Sequence, residues 1–450
     1  MPLFSRLREG LALRIKQIQA VDDRQLRYVD IQLIDGWNHH VIIRTIHNAM
    51  CRNLPASSAY AIAPVLRFLA SAYQARESFR QFLYRAGVLS ASSLPAPVIS
   101  VGNLTSASGK TPFVQHLARH YYQFHGISSL IIQLGSGTVD EAIMLEHDFA
   151  GTPIKVVGDT ANPAELKQIL IDFPSIRLVL LDNGLQHLPL MRDLDIVTLN
   201  AFTPLGNGHL MPRGSLREPP GPALRRADAV VVHHVDIAGE ERVDNTVRLI
   251  ERMLPRHTLR VQTVMMPTML RFIVPMKRTL DMSADSSELG GLVGLSILEK
   301  SAIVFLTGVG SPFTVEEHAK RLGALHVEGC GSIGCSIHED HHHFTSDEVH
   351  EAVARVKLLM KDDRYSHVCI VLTEKDFWRQ RHFWSSVFIR YNHEIWDGTD
   401  QDAKKKKWGA YILRSELQLQ SHDSRFSSES AMWAAMLRLA TDHFRGRSYC

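Results

Sequence analysis

From residue 98 onward the chain alternates between two hydrophobic rhythms. Short runs rich in β-branched and aliphatic residues fall at 98–102, 128–134, 154–158, 177–182, 195–200 and 229–233, the length and composition of buried strands. Between them, at 110–124, 139–149, 163–172 and 239–253, apolar residues recur at helical spacing, as Phe113, Leu117 and Tyr121 do. Strands alternating with helices predict a parallel sheet covered on both faces, with ligands bound at the carboxyl ends of its strands. The segment LRVQTVMMPTMLRFIVP (259–275) reads as extended chain leading into a second unit of the same style. That unit has a strand and turn in SAIVFLTGVGSP, a helix over 314–323, a helix after Thr345 with Glu348 placed for a capping box, and a strand and turn in HVCIVLTEKDFWRQ.

The first ninety-odd residues follow neither rhythm so clearly. Residues 56–90 read as a long helix, apolar on one side, with Arg67, Arg76, Arg80 and Arg85 spaced along it. Such a helix more often packs on its own domain, an anionic membrane surface being the alternative. Ahead of it, MPLFSRLREGLALRIKQIQA sets Arg6, Arg8, Arg14 and Lys16 against the single acid Glu9, and Leu3, Leu7, Leu11, Ile15 and Ile18 can share one helical face. That pattern fits an organelle transit leader as well as an ordinary surface helix. The expected organisation is a leader or variable extension over 1–55, a core with its N-terminal helix over 56–260, a smaller C-terminal α/β domain over 261–430 and a tail over 431–450.

Composition narrows the class without naming a function. At 45% hydrophobic and 22% charged residues, the 450-residue chain has the balance of an ordinary globular protein, and its net charge of +3 gives no reason to expect nucleic acid as a partner. The five cysteines, Cys51, Cys330, Cys335, Cys369 and Cys450, are odd in number and scattered, which points to a reducing compartment. No uncharged apolar run approaches the ~20 residues that a bilayer span needs.

Chemistry enters with VISVGNLTSASGKTPFVQHL, where Ser108-Gly109-Lys110-Thr111 stands between a strand and an amphipathic helix. In that setting backbone N–H groups and a helix N-terminus face an anion. Ser108 and Gly109 shape the loop, Lys110 reaches the β- and γ-phosphates of ATP, and the Thr111 hydroxyl ligates Mg²⁺. The usual pattern has a glycine five places before Gly109, where this chain has Leu104. A second buried strand, in LVLLDNGLQH (178–187), ends on Asp182, whose carboxylate can hold Mg²⁺ beside Thr111. The predicted fold class is therefore α/β, with a P-loop NTPase-type parallel sheet domain followed by a second, smaller α/β domain. A separate cluster, CGSIGCSIHEDHHH (330–343), gathers Cys330, Cys335, His338, His341, His342 and His343; it offers zinc donors but lacks a second cysteine pair.

The motifs DNGLQHLPLMRDLDIVTLN (182–200) and GNGHLMPRGSLREP (206–219) resemble those of the tetraacyldisaccharide 4′-kinase family of lipid A synthesis. VISVGNLT, TGVGSP (307–312), EDHHHF (339–344) and LTEKD (372–376) follow that family's order, so the resemblance spans roughly residues 60–440. It implies an ATP- and Mg²⁺-dependent kinase that phosphorylates the 4′-hydroxyl of an acylated disaccharide 1-phosphate lipid to give lipid IVA, peripheral to a membrane. It implies an acid and a histidine at the acceptor hydroxyl, which map onto Asp140 in VDEA and His341 in EDHHHF. Gln186, Glu218 and His342 are further site candidates, and the basic helix becomes a contact with the bilayer. With the leader, the resemblance suggests a mitochondrial copy, a bacterial inner membrane being the alternative.

Three departures stand out. The loop is short of glycines, Asn183 replaces a second family aspartate, and an Arg-Gly-Tyr segment expected after the strand at 128–134 is replaced by the shorter QLGSGTVDEA. They motivate a rival reading, a protein with the kinase fold that binds lipid or a partner without transferring phosphate. A zinc hydrolase centred on His341 is a third.

Overall fold

The computed structural model describes residues 56–105, 108–135, 139–158, 162–273, 289–309, 312–329, 342–395 and 408–447. They fall in two compact units, one ending at Leu66 and one beginning at Arg67. The first is represented by the opening turns of α1 (Ala56–Arg85); the sheet and its helices lie in the second.

The first half of that unit runs β1 (Val98–Asn103), α2 (Lys110–His125), β2 (Ser128–Gln133), α3 (Val139–Asp148), β3 (Lys155–Gly158), α4 (Pro163–Asp172), β4 (Ile176–Asp182), β5 (Leu194–Asn200), α5 (Pro220–Arg225), β6 (Ala229–His233), α6 (Val235–Ala238) and α7 (Glu240–Glu251). After β7 (Leu259–Ile273) come β8 (Leu289–Val293), β9 (Ala302–Leu306), α8 (Pro312–Arg321), β10 (His326–Gly329), α9 (Ser346–Leu359), β11 (Val368–Thr373), α10 (Glu374–Arg379), α11 (Arg381–Ile395), β12 (Trp408–Ser421) and α12 (Glu429–Arg447). The predicted strands and helices of the first half match to within one or two residues. The capping box on α9 is formed, with the Thr345 side chain accepting from the Glu348 N–H and the Glu348 side chain bonded back to Thr345.

Both halves share one sheet. Its strand order is β10-β9-β11-β12-β7-β6-β5-β1-β4-β2-β3, with β8 on the side of β7. Pairing is parallel from β7 to β3 and from β10 to β12; β7 and β12 pair antiparallel along most of their length. Helices cover both faces, which is why the strands read as unbroken apolar runs instead of alternating ones. On β4, Leu178 and Leu180 join one core with Phe113, Leu117 and Trp433, while Val179 and Leu181 join another with Leu166 and Leu170.

The antiparallel seam decides where a ligand can sit. β6 pairs β7 only over Leu259 to Thr263, and β11 pairs β12 only up to Leu413, which lies opposite Leu270. Thr263 and Leu270 are seven steps apart, about 23 Å of strand. The two parallel half-sheets therefore point their carboxyl edges at each other across a gap of that order, floored by the middle of β7 and β12. The segment 259–275, expected as strands crossing between units, contains the single long strand common to both.

Residues 431–450, expected as a tail, mostly form α12. Met432, Trp433, Met436 and Ala440 recur at helical spacing and are buried in the same core as α2, with Trp433 edge-on to Phe113 at 5.7 Å. Cys369 is buried and reduced in β11; the other four cysteines lie outside the described residues.

Candidate functional site

The loop between β1 and α2 enters its helix through Gly109, whose φ of 74° is left-handed. A Cβ at this position would lie 2.3 Å from the His233 ring, so glycine is required twice over, by backbone and by space. No side chain at the Gly109 cap bonds to α2 and no acid occupies its first turn, so the helix dipole favours an anion there. Pro112 in that turn removes a donor that the helix itself does not use. Leu104, where the usual pattern has glycine, is fully buried among Leu185, Val197 and Leu199 and does not line the cleft. The departure at this position fills core instead of obstructing phosphate.

Ser108 braces the loop. Thr198 on β5 donates its hydroxyl hydrogen to the Gly102 carbonyl (3.2 Å), so the 2.8 Å bond between Ser108 and Thr198 has Ser108 as donor. Thr111 donates to Asp182 Oδ2 at 2.6 Å, and Gln133 donates to the same oxygen at 2.9 Å. The register that puts Asp182 opposite Val101 and Gln133 brings these side chains together at the strand ends. Asp182 is 1% exposed and its Oδ1 has no hydrogen-bond partner. Burial pushes this carboxyl up, and the Lys110 ammonium pulls it back toward the ionised form. A buried carboxylate oxygen lacking a donor, beside a hydroxyl, is the hard oxygen set that Mg²⁺ takes, so the predicted metal pair Thr111 and Asp182 fits that ion.

These groups open into a cavity of about 220 Å³ between the two carboxyl edges. Ser108, Lys110 and Thr111 form one wall; Thr373, Glu374 and Lys375 form the facing one, with Met265, Leu413 and Ser415 between them. Lys375 pairs with Glu141 of α3 at 2.8 Å across this space. Burial pushes the Glu374 carboxyl up to about 7 against the pull of Arg414, although about a quarter of its side chain meets solvent, at 27% exposure.

Asp140 is buried and paired with Arg379, whose Nε and Nη2 both lie 2.8 Å from its Oδ2. The same arginine donates to Asp376 Oδ1 (2.9 Å) and to the His342 carbonyl (3.0 Å), and Asp376 Oδ1 also accepts from the Gly308 N–H at 2.9 Å. One guanidinium thus ties α3 to the turns of TGVGSP, EDHHHF and LTEKD. His341, Cys330, Cys335 and His338 lie outside the described residues. His342 is bonded to Glu348 at 2.9 Å and sits edge-on to Phe344. Glu348 is held down to about 2, its burial being outweighed by the hydrogen bonds from His342 and Thr345.

Gln186 and Glu218 meet each other at 2.8 Å, away from the cavity walls. Glu218, 1% exposed, takes both Arg226 donors (2.7 and 2.8 Å) and Gln81 of α1 at 3.2 Å. Asn183 has a φ of 65°, a conformation asparagine tolerates; it donates to the Leu134 carbonyl and accepts from Arg217. Arg379, His233 and Glu374 were not singled out from the sequence. Asp376 and Arg379 at i, i+3 were the available signal for the first, and the position of His233 at a strand's carboxyl end was the signal for the second.

Residues 62–138 and 135–405 match the family model described as tetraacyldisaccharide-1-P 4′-kinase. A relative from Arabidopsis thaliana, named "Probable tetraacyldisaccharide 4′-kinase, mitochondrial", is 32% identical over 342 residues, 70% of this chain and 80% of its own. Another from Anaeromyxobacter sp. (strain K), named tetraacyldisaccharide 4′-kinase, is 33% identical over 338 residues, 71% of this chain and 81% of its own. The crystal structure of LpxK from Aquifex aeolicus in complex with ATP has the same fold, with a TM-score of 0.51 at 19% identity, covering 86% of this chain and 99% of that one.

The wall of the cleft carries a pH signature. Desolvation pushes the fully buried His233 ring down to about 3, and the nearby His318 adds to the shift. An unfolded histidine titrates near 6.5, so between these values the unfolded chain holds a proton that the native state lacks, and stability falls as pH is lowered. At about pH 5 this ring alone removes about 2 kcal/mol. Urea unfolding at about pH 7.5 and pH 5 will show that loss, and His233→Asn, which keeps a partner for Thr263, will reduce it by a similar amount. An unchanged pH dependence in the variant would contradict the assignment.

Proposed function

The chain belongs to the tetraacyldisaccharide-1-P 4′-kinase family, and on that premise we propose how its cleft carries the reaction. It is an ATP-dependent lipid kinase that transfers the γ-phosphoryl group to the 4′-hydroxyl of a tetraacyldisaccharide 1-phosphate, giving lipid IVA in lipid A biosynthesis. The observation that carries the site assignment is the Thr111–Asp182 contact of 2.6 Å at the N-terminus of α2, with Thr111 lining the same cavity as Lys110. Among the described residues nothing in the site favours a protein that keeps the fold without the chemistry.

Phosphoryl transfer is achieved by positioning and charge neutralisation more than by covalent catalysis. Lys110 and the α2 N-terminus receive the phosphates, with Ser108 and Gly109 fixing the loop. Thr111 and Asp182 would hold Mg²⁺, which supplies neutralising charge at the β- and γ-phosphates. On the acceptor side, His341 takes the proton of the 4′-hydroxyl as its oxygen bonds to the γ-phosphorus, and the bond to the β–γ bridging oxygen breaks to release ADP. Asp140 acts through Arg379, whose bond to the His342 carbonyl fixes the chain next to His341. Gln186 and Glu218 hold α1 through Gln81.

The lipid substrate calls for a membrane surface. On α1, Ala70, Tyr73, Glu77 and Gln81 face the body of the protein, whereas Phe68, Phe79 and Phe82 are 72%, 62% and 61% exposed and share the opposite face. Three exposed phenylalanines with Arg67 and Arg76 alongside suit peripheral binding to an anionic bilayer; among the described residues no helix is long and apolar enough to cross one. The basic leader and the relative named mitochondrial support a mitochondrial location, which organelle fractionation will test against a bacterial inner-membrane one.

With labelled ATP and tetraacyldisaccharide 1-phosphate, Lys110→Ala and Asp182→Asn will each lower transfer on the order of a hundred- to a thousandfold. Wild-type rates in either would remove the site assignment. Cosedimentation with anionic phospholipid vesicles will fall when Phe68, Phe79 and Phe82 are changed together to serine, and unchanged cosedimentation would rule out the α1 face.

A further inference from the structure

His116 and His120 stand four residues apart on α2, the spacing that places two imidazoles on one face of a helix. Glu429, the first residue of α12, meets them from the side, with its Oε1 2.8 Å from His116 Nε2. One ligand atom from each of the three residues lies within 4.8 Å of the others. A hydrogen bond between His116 and Glu429 accounts for two of the three and leaves the third unexplained. His120 is 7% exposed, and its Nε2 is buried without a hydrogen-bond partner. A buried ring nitrogen with no donor or acceptor opposite it is costly unless something occupies the space it faces.

We propose that His116, His120 and Glu429 bind one divalent transition-metal ion of the zinc class, clamping the phosphate-loop helix to the C-terminal helix. Two imidazoles and one carboxylate are a donor set this class prefers, and Zn²⁺ bonds of about 2.0–2.1 Å bring tetrahedral ligand atoms to about 3.3 Å from one another. Binding an ion would open the 2.8 Å His116–Glu429 contact slightly and draw any wider spacing, all being within 4.8 Å, toward that value. Access remains open, since the His116 side chain is 19% and that of Glu429 35% exposed. Three protein ligands leave a fourth position for water. The ion's part here is mechanical: α2 carries Lys110 and Thr111 at its other end, and α12 already packs on it through Trp433.

The test uses the full chain, stripped with a chelator and titrated with Zn²⁺, with bound metal counted by elemental analysis after desalting. Wild type is expected to take one equivalent and to gain melting temperature with free Zn²⁺, as any ligand specific for the native state causes. His116→Ala and Glu429→Gln, both at partly exposed positions, are expected to bind more than about a hundredfold more weakly and to lose the thermal gain. Wild type without stoichiometric zinc at micromolar concentrations, or variants that bind as tightly as wild type, would overturn the proposal, the latter by sending the ion to the 330–343 segment or to Asp182. Co²⁺ bound to wild type gives a readout free of folding effects. Four-coordinate bands without thiolate charge transfer are expected, and a thiolate band would assign the ion to cysteine instead.

Discussion

The antiparallel pairing of β7 with β12 is the constraint from which the site follows. Two parallel half-sheets joined by parallel pairing would present their carboxyl edges on one side, with their ligand loops in a row. Joined antiparallel along two strands of 15 and 14 residues, they instead turn those edges toward each other. Loops that each half would otherwise offer to solvent become the opposing walls of one cleft. The phosphate loop comes from one wall and the TGVGSP and LTEKD turns from the other, so a nucleotide bound at Lys110 has the second half within reach.

Within that cleft, charge is balanced by pairs that cross from one half to the other. Lys375 reaches Glu141 and Arg379 reaches Asp140, both on α3 of the first half. Arg379 is 3% exposed at its side chain and serves two carboxylates and a carbonyl. A desolvated guanidinium in such a network is costly to disturb, because removing any partner leaves a buried charge uncompensated. The network therefore sets the registration of the two walls, and with it the distance between the phosphate loop and the acceptor side. Asp182 is the opposite case, a buried carboxylate with one oxygen still unmatched, where the proposed ion would contribute what the protein lacks.

Much of this was legible in local pattern. Hydrophobic runs located the strands because both faces of the sheet are covered, and the Ser-Gly-Lys-Thr turn and strand-terminal Asp182 could be paired because adjacent parallel strands end on the same edge. The departures in the loop were harder to judge. Leu104 reads as an obstruction in a glycine pattern, yet burial among Leu185 and Val197 turns it into core. Asn183 reads as a lost acid, and in the fold it supplies a left-handed turn that accepts from Arg217. What escaped the sequence depends on contacts between distant segments. Arg379 is separated from Asp140 by 239 residues, and the helix around Trp433 looked like a tail because its apolar face is matched by segments distant in sequence, α2 and the strands β1 and β5. Asp140 was singled out from the sequence, but its guanidinium partner was not.

If the cleft between the facing edges is the nucleotide site, ATP must protect both walls at once. Amide hydrogen exchange of the full chain, with and without Mg-ATP, measures this directly. The account predicts slower exchange at 108–115 and, in the same sample, at 373–376 and 413–415 across the seam. Protection confined to the phosphate-loop half would contradict it, leaving the antiparallel seam a feature of the fold with no part in binding the nucleotide.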